Sequence, residues 1–143
     1  MRLIHRPETQ DDVDRARRRL AWDEALVMQV VLARRRLETE ALPATPRIDP
    51  GDGVLAAFER RLPFELTSGQ RQVGEQIAHD LAQPHPMHHL LEGEVGSGKT
   101  VVALRAMLAV VDSGGQAALL APTEVLAQQH HRSLTAMLGP LAE

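Results

Sequence analysis

The stretch Gly93-Glu94-Val95-Gly96-Ser97-Gly98-Lys99-Thr100 decides the fold. It fits the phosphate-loop pattern G-x-x-x-x-G-K-[ST] at every fixed position. Gly93, Gly96 and Gly98 let the backbone take positive φ and approach a ligand closely. Successive N–H groups, those of Glu94, Val95 and Ser97 among them, then point inward and cradle phosphate oxygens. Lys99 brings a cation to the β- and γ-phosphates, and the Thr100 hydroxyl suits the shell of a magnesium ion. A helix starting here adds its positive dipole end to the same anion. A phosphate-bearing ligand with Mg2+ is therefore expected, held by Lys99 and Thr100. The plainer alternative is a glycine-rich turn that matches by accident, and the flanks argue against it.

Before the loop lies the apolar run His89-Leu90-Leu91, which reads as a buried parallel strand. After it, Val101 to Val111 reads as a buried helix. Asp112-Ser113-Gly114-Gly115 stops that helix, and Gln116-Ala117-Ala118-Leu119-Leu120-Ala121 reads as a second buried strand. Pro122 ends that strand, and Thr123 caps a helix with Val125, Leu126, Leu134, Met137 and Leu138 on its apolar side. The order strand, loop, helix, strand, helix predicts an α/β fold with a parallel sheet and right-handed crossovers. Ligands bind at the carboxyl ends of such strands. Pro122, Thr123 and Glu124 are thus candidates for nucleic-acid phosphate, although a plain helix cap explains Thr123 equally well.

Upstream, Leu62-Pro63-Phe64-Glu65-Leu66-Thr67-Ser68-Gly69-Gln70 leads into a helix capped by Thr67 and running to about Gln83. Gln70 falls in its first turn. An amide offers the donor and acceptor that adenine N6 and N7 require, while a surface Gln needs no such role. Residues 43–53 hold three Pro and two Gly and read as a linker, followed by a short helix from Val54 to Arg61. Residues 1–8 read as an incoming tail. Thr9 and Asp12 suit a capping box, and Arg15, Arg17, Arg18 and Arg19 suit the end of that first helix. A second helix is expected from about Asp23 to Glu40, with Trp22, Leu26 and Val30 on one face and Arg34-Arg35-Arg36 near its end. Those arginines read as a solvated helix end rather than a DNA contact.

Composition excludes several classes. With 16 Lys+Arg against 19 Asp+Glu, net −3, the whole chain is not a basic nucleic-acid clamp. No Cys means no disulfide framework and no thiolate metal site. Three His in residues 85–89 lack a carboxylate or Cys at ligand spacing. Aromatic residues make up 2%, which argues against base-stacking platforms. No apolar run suits a membrane span or a signal peptide, so a cytoplasmic protein without membrane partners is expected.

Three segments together, Leu62 to Gln70, Gly93 to Thr100 and Ala121 to His130, resemble the Q-type motif, motif I and motif Ia of superfamily 2 helicases. Their wording, with Arg18-Arg19-Leu20-Ala21-Trp22-Asp23-Glu24-Ala25-Leu26 upstream, resembles the RecG family of bacterial DNA helicases across nearly the whole chain. The resemblance implies an ATP-dependent double-stranded DNA translocase that remodels forks and Holliday junctions in repair and recombination. It implies that Gln70, Phe64 and Leu66 recognise adenine, and that Thr123 and its neighbours touch the DNA backbone. It places residues 1–42 as the helical link after a wedge domain, and 54–143 as the N-terminal part of the first, RecA-like motor domain. No apolar run ending in Asp-Glu follows the phosphate loop, so a fragment is expected that needs the remainder of a helicase chain and is inactive alone. The related transcription-repair coupling translocase and a stand-alone nucleotide-binding module are the alternatives.

Overall fold

The computed structural model describes residues 5–142. Expectations that fall on residues 1–4, part of the incoming tail, and on Glu143 lie outside it. The chain forms two compact units, Met1–Leu42 and Pro43–Glu143.

The first unit is built on helix α1, Gln10–Glu40. Its start is the expected capping box. The Thr9 hydroxyl accepts from the Asp12 amide at 3.2 Å, and the Asp12 carboxylate accepts from the Thr9 amide at 3.1 Å. The Thr9 hydroxyl also donates to that carboxylate, which holds the Asp12 carboxyl below the usual range. Two helices were expected here, and one continuous helix is found. Residues 10–40 contain neither Gly nor Pro, so nothing breaks the run. The expected joint is instead bridged by Arg19 and Asp23, one turn apart at 2.9 Å. Arg15 to Arg19 therefore sit within the helix, not at its negative end. Apolar side chains also point in several directions: Trp22, Val27, Met28 and Leu37 are all exposed.

The second unit is organised by α4, Lys99–Asp112, which buries Val101, Val102, Leu104, Leu108 and Ala109. Helix α2, Val54–Arg61, and helix α3, Ser68–Leu81, both pack on it. Phe58 of α2 is the most completely buried side chain, 1% exposed, against Leu104 and Leu108. Burying one such ring contributes about 2 kcal/mol or more. Leu134, Met137 and Leu138 from α5, Glu124–Leu138, and Leu141 of the 3₁₀ turn Gly139–Ala142 close the core.

The segment 43–53 is tied down over much of its length. The Ala44 amide donates to Pro84 O and the Arg47 amide to Leu81 O, both at the end of α3. The Arg47 guanidinium reaches Ser113 O just past the end of α4. At Gly53 the chain meets the Asp112 carboxylate, whose two oxygens accept from the Val54 and Leu55 amides at 2.8 Å each. Gly53 offers α2 no side-chain cap, so Asp112 caps the helix from the end of its neighbour. A Cβ at residue 53 would stand 2.3 Å from that carboxylate.

The expected parallel sheet is not present. Among the described residues there is no strand: the runs around Leu90 and around Leu119-Leu120 are non-helical and unladdered. Leu90 is 81% exposed and Leu120 is 94% exposed. A strand exists only through hydrogen bonds to a neighbour about 4.8 Å away. No described segment supplies that neighbour to either run, so the architecture is helical rather than α/β. Among the described residues, no helix is long and apolar enough to cross a membrane.

Asp112→Ala removes both acceptors from the start of α2 and leaves two part-buried amides unserved. A loss of about 2 kcal/mol is expected, read as a lower midpoint in urea with an unchanged slope. The Thr9–Asp12 box responds to acid. Because the folded carboxyl titrates below its ordinary range, its contribution is full above that range and fades as pH falls through the lowered value. Circular dichroism should show α1 losing more helix in acid than the Asp12→Asn chain, which lacks that titration.

Candidate nucleotide-binding site

The glycine-rich loop has the backbone its residue types demand. The Ser97 amide donates to Glu94 O at 3.2 Å, closing a four-residue turn with Gly96 in third place at φ +83°. That position needs positive φ, which glycine adopts without steric cost. The next glycine, Gly98, is left-handed at φ +82° and caps the start of α4. Its carbonyl accepts from the Val101 and Val102 amides, the first links of the helix. Gly93 is small for a different reason: a Cβ there would lie 2.7 Å from Ser97 Oγ. Val95 stands fully exposed at the tip.

Lys99 and Thr100 open α4, so both sit where the helix presents unpaired amides. The Lys99 ammonium folds back and donates to Gly93 O and Glu94 O at 2.7 Å each. It therefore spans the loop as its only ammonium, holding the loop's own carbonyls. A cation over a concave loop at a helix start is a donor set that fits a polyphosphate.

Gln70 reaches this loop from α3. Its Nε2 donates to Ser97 O at 2.9 Å, and its Oε1 accepts from the Thr67 amide at 2.9 Å. The Thr67 hydroxyl in turn accepts from the Gln70 amide at 3.2 Å. Both ends of the side-chain amide expected to read adenine are thus engaged with the chain itself. A Cβ at Gly98 would lie 2.4 Å from Gln70 Nε2, so Gly98 is also what lets α3 approach.

Phe64 and Leu66 line an open hollow of about 450 Å3, with Glu59 and Arg71 on its walls. Phe64 is half-exposed. The nucleic-acid candidates Pro122, Thr123 and Glu124 are exposed at the start of α5. The Thr123 hydroxyl accepts from the Leu126 amide at 3.3 Å, an ordinary cap, and Glu124 accepts from Gln128 at 3.0 Å. Among the described residues no hydrogen bond joins these three to the phosphate loop.

Sequence reasoning passed over Glu59, which lines the hollow, and its partner Arg105 behind it. Glu59 Oε1 accepts from Arg105 Nε at 2.7 Å and from Arg105 Nη2 at 2.6 Å. The only signal was an arginine set inside the otherwise apolar run Val101 to Val111. Its partner, 46 residues away, had none.

Residues 67–143 match the family described as DEAD/DEAH box helicase. The chain is 51% identical over 144 residues to the ATP-dependent DNA helicase RecG of Mycobacterium leprae, covering 99% of this chain and 19% of that protein. It is 44% identical over 138 residues to the ATP-dependent DNA helicase RecG of Synechocystis, covering 96% and 17%. A solved structure of RecG bound to a three-way DNA junction superposes with a TM-score of 0.81 at 38% identity, over 91% of this chain and 18% of that one. The chain thus spans about a fifth of the length of these relatives. The family match takes in more than half of its residues, the phosphate loop and Gln70 included, and the chain belongs to the DEAD/DEAH box helicase family.

Proposed function

We propose that this chain is part of the first motor domain of a RecG-type, ATP-dependent DNA helicase. In that role it acts in the cytoplasm with the remainder of a helicase chain on branched double-stranded DNA, such as forks and Holliday junctions. The observation that carries this reading is the loop itself: left-handed Gly96 and Gly98 bracket Ser97 at the start of α4, with Lys99 folded across it. The relatives named for DNA helicase activity, and the one solved on a three-way junction, support the wider role.

The residues divide the work. Gly93 to Gly98 present backbone donors to phosphate oxygens. Lys99 exchanges two neutral carbonyls for charged oxygens, a stronger charge-assisted bond. The Thr100 hydroxyl is the ligand this chain would offer magnesium. A bound nucleotide would supply the hydrolysable phosphoanhydride. Phe64 and Leu66 offer an apolar face to the base. Gln70 stands between base and phosphate seats and steadies the loop through Ser97. Pro122, Thr123 and Glu124 offer a helix start to a DNA phosphate.

Calorimetric titration with Mg-ATP tests the site. Lys99→Ala should weaken binding by at least about tenfold, or 1.4 kcal/mol. Equal affinities in the two chains, or no binding by either, would sink the reading. Gln70→Ala separates two roles. If its amide steadies the loop, affinity falls for ATP and for inorganic tripolyphosphate alike, by about threefold to tenfold. A loss confined to ATP would make Gln70 a base reader instead. For the wider role, the chain should bind three-way junction DNA more tightly than linear duplex, and less tightly as salt rises; equal affinity for both would oppose it.

A further inference from the structure

Arg105 lies between three helices that each carry part of the site. It belongs to α4, whose first residues are Lys99 and Thr100. Its guanidinium grips Glu59 Oε1 with two nitrogens, at 2.7 and 2.6 Å. Glu59 belongs to α2, which runs directly into the Leu62–Leu66 segment, and it forms a wall of the hollow that Phe64 and Leu66 line. The third nitrogen, Nη1, is buried against α3. A Cβ at Gly74 would stand 2.2 Å from it, so any other residue there would displace the guanidinium. Gly74 lies one turn after Gln70 on that helix. A mostly apolar cavity of about 200 Å3, with Asp49 and Glu75 on its walls, adjoins Arg105.

The pair is half-buried, with the Arg105 side chain 18% and the Glu59 side chain 37% exposed. Both bonds are charge-assisted and converge on one carboxylate oxygen, which ties the end of α2 to α4 at a fixed distance. A lone arginine in a buried helix is costly unless it is paired. The core needs nothing polar here, because Phe58 and Leu104 already pack α2 on α4.

We infer that Arg105 and Glu59 are positioning residues that set the base seat relative to the phosphate seat, with Gly74 as the backstop that aims the guanidinium. This rests on the nucleotide-site reading proposed above. Arg105 touches neither seat. It acts through Glu59, which holds the end of α2 and so the angle at which Phe64 and Leu66 face a base.

The test compares two probes, ATP and inorganic tripolyphosphate, each with magnesium, titrated calorimetrically into the 143-residue chain. Tripolyphosphate reports the phosphate seat alone. Glu59→Gln keeps size but loses the charge, and should weaken ATP by about tenfold while leaving tripolyphosphate within about twofold. Glu59→Asp keeps the charge on a shorter arm and should give an intermediate loss of ATP affinity, with a melting temperature near that of the unaltered chain. An equal loss of both probes in the two variants would make the pair merely structural and overturn the inference, as would unchanged ATP affinity. Failure of the unaltered chain to bind either probe would strike the nucleotide-site reading itself. Binding of tripolyphosphate with no gain from adenosine would strike the base seat alone.

Discussion

One carboxylate at the end of the phosphate-loop helix fixes where the next layer of structure begins. Asp112 accepts from two amides 57 and 58 residues before it, those of Leu55 and Val54. Helix α2 has no cap of its own, because Gly53 must be small to admit that carboxylate. So the helix that starts at the loop also dictates the start of its neighbour. From there Phe58 reaches Leu104 and Leu108, and the last residues of α2 hand over to Leu62–Leu66. Arg105 holds the same pair of helices near the other end of α2. Two polar ties with an apolar patch between them leave α2 little freedom to slide or rotate on α4, which is the condition for a site shared by both.

The same dependence explains what could be read from the sequence. Helices α2 to α5 fall close to where periodicity and caps put them, with Thr67 and Thr123 both serving as N-caps. A helix closes its hydrogen bonds within itself, four residues apart, so its signal is local. A strand is a bond between two segments. His89-Leu90-Leu91 and Gln116 to Ala121 have the composition of buried parallel strands, yet composition supplies no partner, and Leu90 and Leu120 stand in solvent. The opposite error occurred at α1, where an expected gap near Asp23 proved continuous. Charge reversal along a chain is a weak breaker; only Gly or Pro interrupts the backbone ladder at the cost of a whole kcal/mol or more.

The site divides along the same line. The phosphate loop was legible because its requirements are backbone requirements: Gly96 and Gly98 must be left-handed, and sequence names glycine directly. The place of Gln70 was only half legible. Its position in the first turn of α3 followed from the Thr67 cap, but its bond to Ser97 O spans 27 residues and depends on how closely α3 meets the loop. Gly98 leaves room for the Gln70 amide, and Gly74, on the same helix as Gln70, leaves room for Arg105, two glycines whose missing side chains matter for the space they leave. Gly98 also needs its positive φ, whereas Gly74 is ordinary helix. Reading such a glycine needs the neighbour's coordinates.

Arg105 shows why a charge inside an apolar run carries information that motif matching discards. A helix with Val101, Val102, Leu104, Leu108 and Ala109 buried could have kept a leucine at 105 and packed α2 through the hydrophobic effect alone. Isosteric apolar replacement of a buried ion pair is often neutral or stabilising, so stability is a poor reason for the arginine to be there. What the ion pair adds is a fixed point: two guanidinium nitrogens hold one oxygen of Glu59, whereas apolar contact lets the helices slide. Such a point matters where two elements must face one ligand: α4 carries Lys99, and α2 leads into the segment that carries Phe64. If the proposed nucleotide site is occupied at the ends of these helices, that site explains the charge better than the core between them does.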